Sequence, residues 1–116
     1  MNKETALMHS MMLALSEAGC MVFRNNTGQA WQGKPIHRAG NQVTLTECRM
    51  IPYGLCVGSA DLIGVAPDGR FLAVEVKTST GRISAQQTAF ISAVRLAGGR
   101  AGVARTVEEA LQLARG

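Results

Sequence analysis

The stretch from Asp61 to Lys77, DLIGVAPDGRFLAVEVK, restricts what this chain can fold into more than any other part of it. Leu62 to Val65 and Phe71 to Val76 are short apolar runs rich in branched and aromatic residues, and Pro67-Asp68-Gly69 between them has the composition of a tight turn. A β-hairpin follows. A three-residue loop with Gly69 in the left-handed region would pair Ala66 with Arg70, and counting outward sets Asp61 opposite Glu75. Opposed side chains on one face stand about 4.5–5.5 Å apart at Cβ, close enough to share a divalent ion. Glu75 and Lys77 are two apart on one strand and share a face, while Leu72, Val74 and Val76 take the other.

Two neighbouring carboxylates repel, and one is pushed toward its neutral form unless a cation lies between them. A metal site resolves that conflict. The plainer alternative is a surface hairpin on which Glu75 and Lys77 form a solvated edge, since Glu-x-Lys is a common tripeptide.

Around this hairpin the chain reads as one domain, 1–116, of α/β type. Its 116 residues suffice for one core, and a 47% apolar content excludes disorder as the main state. The net charge of +4 favours an anionic partner, and nine of the twelve basic residues are arginines, whose forked geometry suits phosphate. Cys20, Cys48 and Cys56 are odd in number and form no CxxC, which argues against a disulfide framework or a zinc site. With no signal-peptide form and no run long enough to span a bilayer, a cytoplasmic location with no membrane partner is expected.

In order, Lys3 to Ala18 has helical spacing behind the N-cap Asn2, with Leu7, Met8, Met11 and Leu15 as its buried stripe. Glu4 lies at the end of that stripe. It either complements the helix dipole or belongs to a site. Cys20 to Arg24 reads as a short strand ended by the turn residues Asn25 to Gly28. Residues 29–58 form a long excursion, a loop or a hairpin, with a short strand at Gln42 to Cys48. Between Arg24 and Ala60, Arg24, Lys34, Arg38 and Arg49 stand against Glu47 alone, with Trp31, His37 and Tyr53 interspersed. That mixture suits nucleic-acid backbone contact and base stacking; a solvated loop with Trp31 folded back on the core is the alternative.

After the polar turn Thr78 to Arg82, Ser84 caps a helix that runs to Ala97, with Phe90, Ile91 and Val94 inward and Gly98-Gly99 ending it. Gln87 stands where a capping-box glutamine would, and its amide could also reach Glu75. Arg100 to Ala104 reads as a buried strand, and Thr106 to Glu109 opens a last helix with a second capping box. A helix between two strands is a crossover suited to parallel pairing, so the sheet is expected to be mixed.

Gly58-Ser59-Ala60-Asp61-Leu62, Glu75-Val76-Lys77, Gly81-Arg82-Ile83-Ser84 and Gln87 together resemble the VRR-NUC (virus-type replication–repair nuclease) domain, a branch of the PD-(D/E)xK nuclease superfamily. The Glu4 helix and Arg24 to Gly28 are similar to that family too, whereas residues 29–52 are not, and Ala60 stands where the superfamily has proline. The resemblance implies a restriction-endonuclease-like mixed β-sheet flanked by helices, with an αβββαβ core. It implies a divalent-metal-dependent structure-specific DNA endonuclease using Mg²⁺, with Mn²⁺ as substitute. Asp61, Glu75 and the Val76 carbonyl would be metal ligands, with Glu4 and Gln87 completing the site from two helices. Lys77 would orient or activate the attacking water, or stabilise the charge developing on phosphorus. The expected DNA contacts are Arg24, Lys34, Arg38, Arg49 and Arg82. By the same resemblance, the enzyme would act as a homodimer on branched DNA such as four-way (Holliday) junctions, with a replication or repair helicase as a further partner. The alternatives are a flap or nicking nuclease without junction preference, or a non-catalytic nucleic-acid-binding module.

Overall fold

In the computed structural model, which describes residues 2–116, three helices and four strands form the body of the molecule and two long strands form an arm. The chain runs α1 (Lys3–Glu17), β1 (Met21–Arg24), β2 (Gly28–Ala39), β3 (Gln42–Tyr53), β4 (Leu62–Val65), β5 (Phe71–Val76), α2 (Ala85–Leu96), β6 (Arg100–Ala104) and α3 (Val107–Arg115). The body sheet has the order β1-β4-β5-β6. Its first two pairings are antiparallel, and the crossover through α2 makes β5–β6 parallel. Without the arm this is an αβββαβ core with one added helix: a mixed sheet flanked by helices, the restriction-endonuclease-like fold.

The hairpin has the register that its turn dictates. Gly69 adopts φ +89°, Ala66 N–H donates to the Arg70 carbonyl at 2.8 Å, and Leu62 pairs with Val74. One residue further, Asp61 is level with Glu75. Gly64 on β4 allows β1 to approach closely, since a Cβ there would run into the Met21 carbonyl.

Both faces of the sheet are covered. Leu62, Leu72, Val74, Val76 and Ala104 pack with Met8, Met11 and Leu15 of α1 and Ala110 and Ala114 of α3. Each fully buried Leu or Val in that layer contributes about 1.5–3 kcal/mol. Ala73 and Ala101 face Ile91, Phe90 and Val94 of α2 on the opposite side. Because α2 covers that face, Glu75 is buried, at 2% exposure, and is no solvated edge.

Residues 29–58, expected as a loop or hairpin with one short strand, form a longer structure. β2 and β3 are twelve residues each and pair only with one another, with register shifts at Gln32/Lys34 and Pro35/His37. The expected strand at Gln42 to Cys48 is the first half of β3. No arm residue belongs to either core cluster, and Trp31 is 63% exposed, so it does not fold back on the body. The thiols divide likewise: Cys20 is in the core, Cys48 on the arm and Cys56 near its root are exposed, and all three are free.

Candidate active site

Asp61 precedes β4, Val76 is the last residue of β5 and Lys77 follows it, so all three fall at one end of the sheet. Arg24, the last residue of β1, pairs with Leu62 and lies at the same end. In open α/β sheets this end, beyond the carboxyl ends of the parallel strands, is where ligands bind.

The Asp61 carboxylate accepts the Val76 N–H at 3.0 Å. Lys77 N–H, one residue on, donates the other way, to Ala104 of β6 at 3.1 Å. That alternation turns the polar backbone groups of Val76 toward Asp61. Glu75 Oε1 accepts from Gln87 Nε2 at 3.0 Å and lies 3.8 Å from Lys77 Nζ. The Glu75 carboxyl is pushed up from 4.5 to about 8: first by burial, then by the hydrogen-bonding and charge of Asp61, with Glu4 adding and Lys77 opposing. Among the described residues, then, an acid held neutral at pH 7 stands beside a second carboxylate, an ammonium and an amide donor.

Gln87 does both things its position allowed. Its Oε1 accepts the Ser84 N–H at 2.8 Å and Ser84 Oγ accepts the Gln87 N–H at 3.1 Å, a complete capping box, while its Nε2 holds Glu75. The second capping box is half made: Thr106 Oγ1 accepts the Glu109 N–H, but the Glu109 carboxylate turns to Arg105 N–H.

Glu4 stands apart from the pair. It is half-buried in the first turn of α1 and near enough for its charge to act on Glu75. No group of three or more Asp, Glu, His or Cys side chains is close enough to hold a metal among the described residues. Asp61, Glu75 and the Val76 backbone nonetheless fit a hard cation. Mg²⁺ binds through one or two carboxylates, keeps several waters and takes its remaining oxygens from phosphate. A divalent ion would also replace the proton that buried Glu75 otherwise holds.

The expected DNA contacts fall into two groups, all of them exposed. Arg24 and Arg82 are on the body, Arg82 in the turn between Lys77 and Ser84. Lys34, Arg38 and Arg49 are on the arm. Lys34 pairs with Glu47 at 2.6 Å and Arg49 with Gln32 at 3.0 Å. Gln32 and Lys34 are two apart on β2, so Lys34 and Arg49 share one face of the ribbon while Trp31 and its partner Met50 take the other.

Two contributors went unread in the sequence. Arg105 Nη1 donates to the Thr78 and Gly81 carbonyls at 2.6 and 2.7 Å and pins the loop that follows Lys77. Asn25, read as turn chemistry, is buried and bonded to the residues leading into Asp61. Its signals were a polar residue joining an apolar strand to a turn and its place in the Arg24 to Gly28 stretch that carries part of the family resemblance.

The VRR-NUC domain family model matches residues 41–108, more than half of the chain. The span includes Asp61, Glu75, Lys77 and Gln87, and excludes Glu4 and Arg24. No curated protein matches the chain. Among the described residues, no helix is long and apolar enough to cross a membrane.

Proposed function

The chain belongs to the VRR-NUC domain family, which implies a nuclease of the PD-(D/E)xK type, and from that premise we propose that it is a divalent-metal-dependent endonuclease acting on branched DNA. The observation that carries the reading is the buried Glu75 held between half-buried Asp61 and Lys77, with Glu75 raised to about 8. Proteins do not retain such a pair for stability, because two adjacent acids in low dielectric are costly without a cation.

In this reading Asp61 and Glu75 hold the ion, with the Val76 carbonyl on the same side. A bound Mg²⁺ supplies Lewis acidity to the scissile phosphate and lowers the pKa of a water. Gln87 fixes the Glu75 carboxylate so that its oxygens need not reorganise as charge develops. Lys77 holds a positive charge beside the pair, where it orients the attacking water or offsets charge on phosphorus. Glu4 adds negative potential from α1. Arg24 and Arg82 flank the site and grip phosphates, and the arm extends that grip through Lys34, Arg38 and Arg49.

Four-way junctions are the proposed substrate and a homodimer the proposed enzyme. A two-fold dimer matches a junction's symmetry and presents two sites to opposed strands. A 12.3 kDa chain has little surface for reading a junction alone.

The test uses labelled duplex, flap and four-way-junction DNA with Mg²⁺, Mn²⁺ or EDTA. Paired symmetric cuts confined to the junction and abolished by chelation are expected. Chelator-resistant cutting would refute the metal mechanism, and equal cutting of all substrates would refute branch specificity. Glu75→Ala should lose cleavage by about a thousandfold or more, the kinetic equivalent of several kcal/mol of charge stabilisation, while still binding DNA.

A further inference from the structure

Asn25 lies between the end of β1 and the arm, and its backbone N–H and side-chain amide are tied to four neighbouring residues. Its backbone N–H donates to the Asp61 carbonyl at 2.7 Å. Its Nδ2 donates to Ser59 Oγ and to the Ala60 carbonyl, both at 2.8 Å, and its Oδ1 accepts the Leu55 N–H at 3.2 Å. Ser59 Oγ in turn donates to the Cys56 carbonyl at 2.7 Å. Asn25, Ser59 and Ala60 are all buried, at 9%, 7% and 1% exposure.

An asparagine amide offers two donors and an acceptor, and this site uses all three. The ladder between β1 and β4 stops at Arg24 and Leu62. Beyond it, Asn25 carries the alignment to Asp61 by bonding the carbonyls of both Ala60 and Asp61. The Asp61 backbone is thus held from one side by Asn25 and its carboxylate from the other by Val76 N–H.

We propose that Asn25 is a positioning residue that fixes the Asp61 carboxylate at its working distance from Glu75 and so sets the affinity of the pair for a divalent cation. The inference rests on the nuclease reading above, and it assigns that site a supporting residue with no contact to metal or substrate. Asp61 belongs to the loop before β4 and lacks a second ladder to define it. Without the asparagine, its backbone could rotate and separate the two carboxylates.

The most discriminating variant is Asn25→Asp, almost the same shape with the donors removed. A carboxylate oxygen would then face the Ala60 carbonyl with no proton between them, while acceptance from Leu55 is kept. Asn26→Asp, next door and exposed, adds the same charge without touching these bonds. Mn²⁺ affinity is measured by paramagnetic resonance titration of each folded variant in the absence of DNA, with circular dichroism as the check on folding. Asn25→Asp should weaken Mn²⁺ binding about tenfold or more, the usual scale for residues that orient metal ligands, while Asn26→Asp stays within about twofold of the parent. A folded Asn25→Asp protein that binds Mn²⁺ as tightly as the parent overturns the proposal. If Asn25→Asp does not fold, Ser59→Ala carries the test: it removes one acceptor of the amide without adding charge, and unchanged Mn²⁺ affinity would overturn the proposal equally. A parent protein that binds no Mn²⁺ fails differently, because it removes the metal reading itself.

Discussion

Glu75 sets the behaviour of the site at the scale of single residues, and its proton is the handle on it. The groups facing it are Asp61, Lys77 and Gln87, with Glu4 at longer range. Its folded pKa of about 8 exceeds the ordinary 4.5, so between those values the fold holds a proton that the unfolded chain has released. Metal-free stability should therefore fall as pH rises from about 4.5 to about 8. A divalent cation substitutes for that proton, so added Mg²⁺ should raise the melting temperature at about pH 9 and do little at about pH 5. Thermal melts with Mg²⁺ and with EDTA at both values measure this; an equal Mg²⁺ effect at the two would refute it. Gln87 allows a cleaner separation of roles. Gln87→Glu keeps an acceptor for Ser84 N–H but gives Glu75 a third negative neighbour in place of a donor. The melting temperature with Mg²⁺ should stay within a few degrees, while cleavage drops at least about tenfold. Equal loss of both would mean that the residue only caps its helix.

Elements differ in how far the sequence disclosed them, and the reason is burial. The β4–β5 hairpin was legible to the residue because Pro67-Asp68-Gly69 allows few turns and each strand has a face that must be buried. The level placing of Asp61 and Glu75 followed from that register. The arm was legible only as an excursion. Both its faces meet solvent, so no period-two pattern marks its strands, and Gly33, Pro35 and Pro52 read as breaks although the ribbon absorbs them at shifts of register and strand ends. The depth of Glu75 was also unread, because nothing local says that α2 will close over that face. Since the arm adds nothing to either core cluster, it should be removable. Gly28 pairs with Tyr53, so a short Asn-Gly turn can join Thr27 to Gly54. That deletion should leave the melting temperature within a few degrees and weaken DNA binding; cooperative unfolding of the shortened chain would show instead that the arm supports the body. Removing Arg38 or Arg49 singly should lower the salt slope of binding by about one for each phosphate no longer neutralised.

At the scale of the molecule, the described residues measure 50 × 29 × 29 Å, and the arm stands off the body as a separate two-stranded ribbon. That outline suits a protein that spans more than one segment of a nucleic acid, and the +4 net charge gives it a general attraction to any of them. Sedimentation at micromolar concentration should report twice the 12.3 kDa protomer mass, and a single-protomer mass that persists with junction DNA bound would rule out the two-fold enzyme.

The three thiols add a chemical asymmetry to that outline. Cys20 is walled into the core, and burial pushes its thiol up, disfavouring the thiolate. Cys48 and Cys56 are open to water, one on the ribbon and one near the place where it leaves the body. Alkylating reagents will decorate this appendage and its base while the interior stays silent, so a fluorescent maleimide can label the ribbon with no engineered cysteine, and a change in its emission on adding DNA would report contact there.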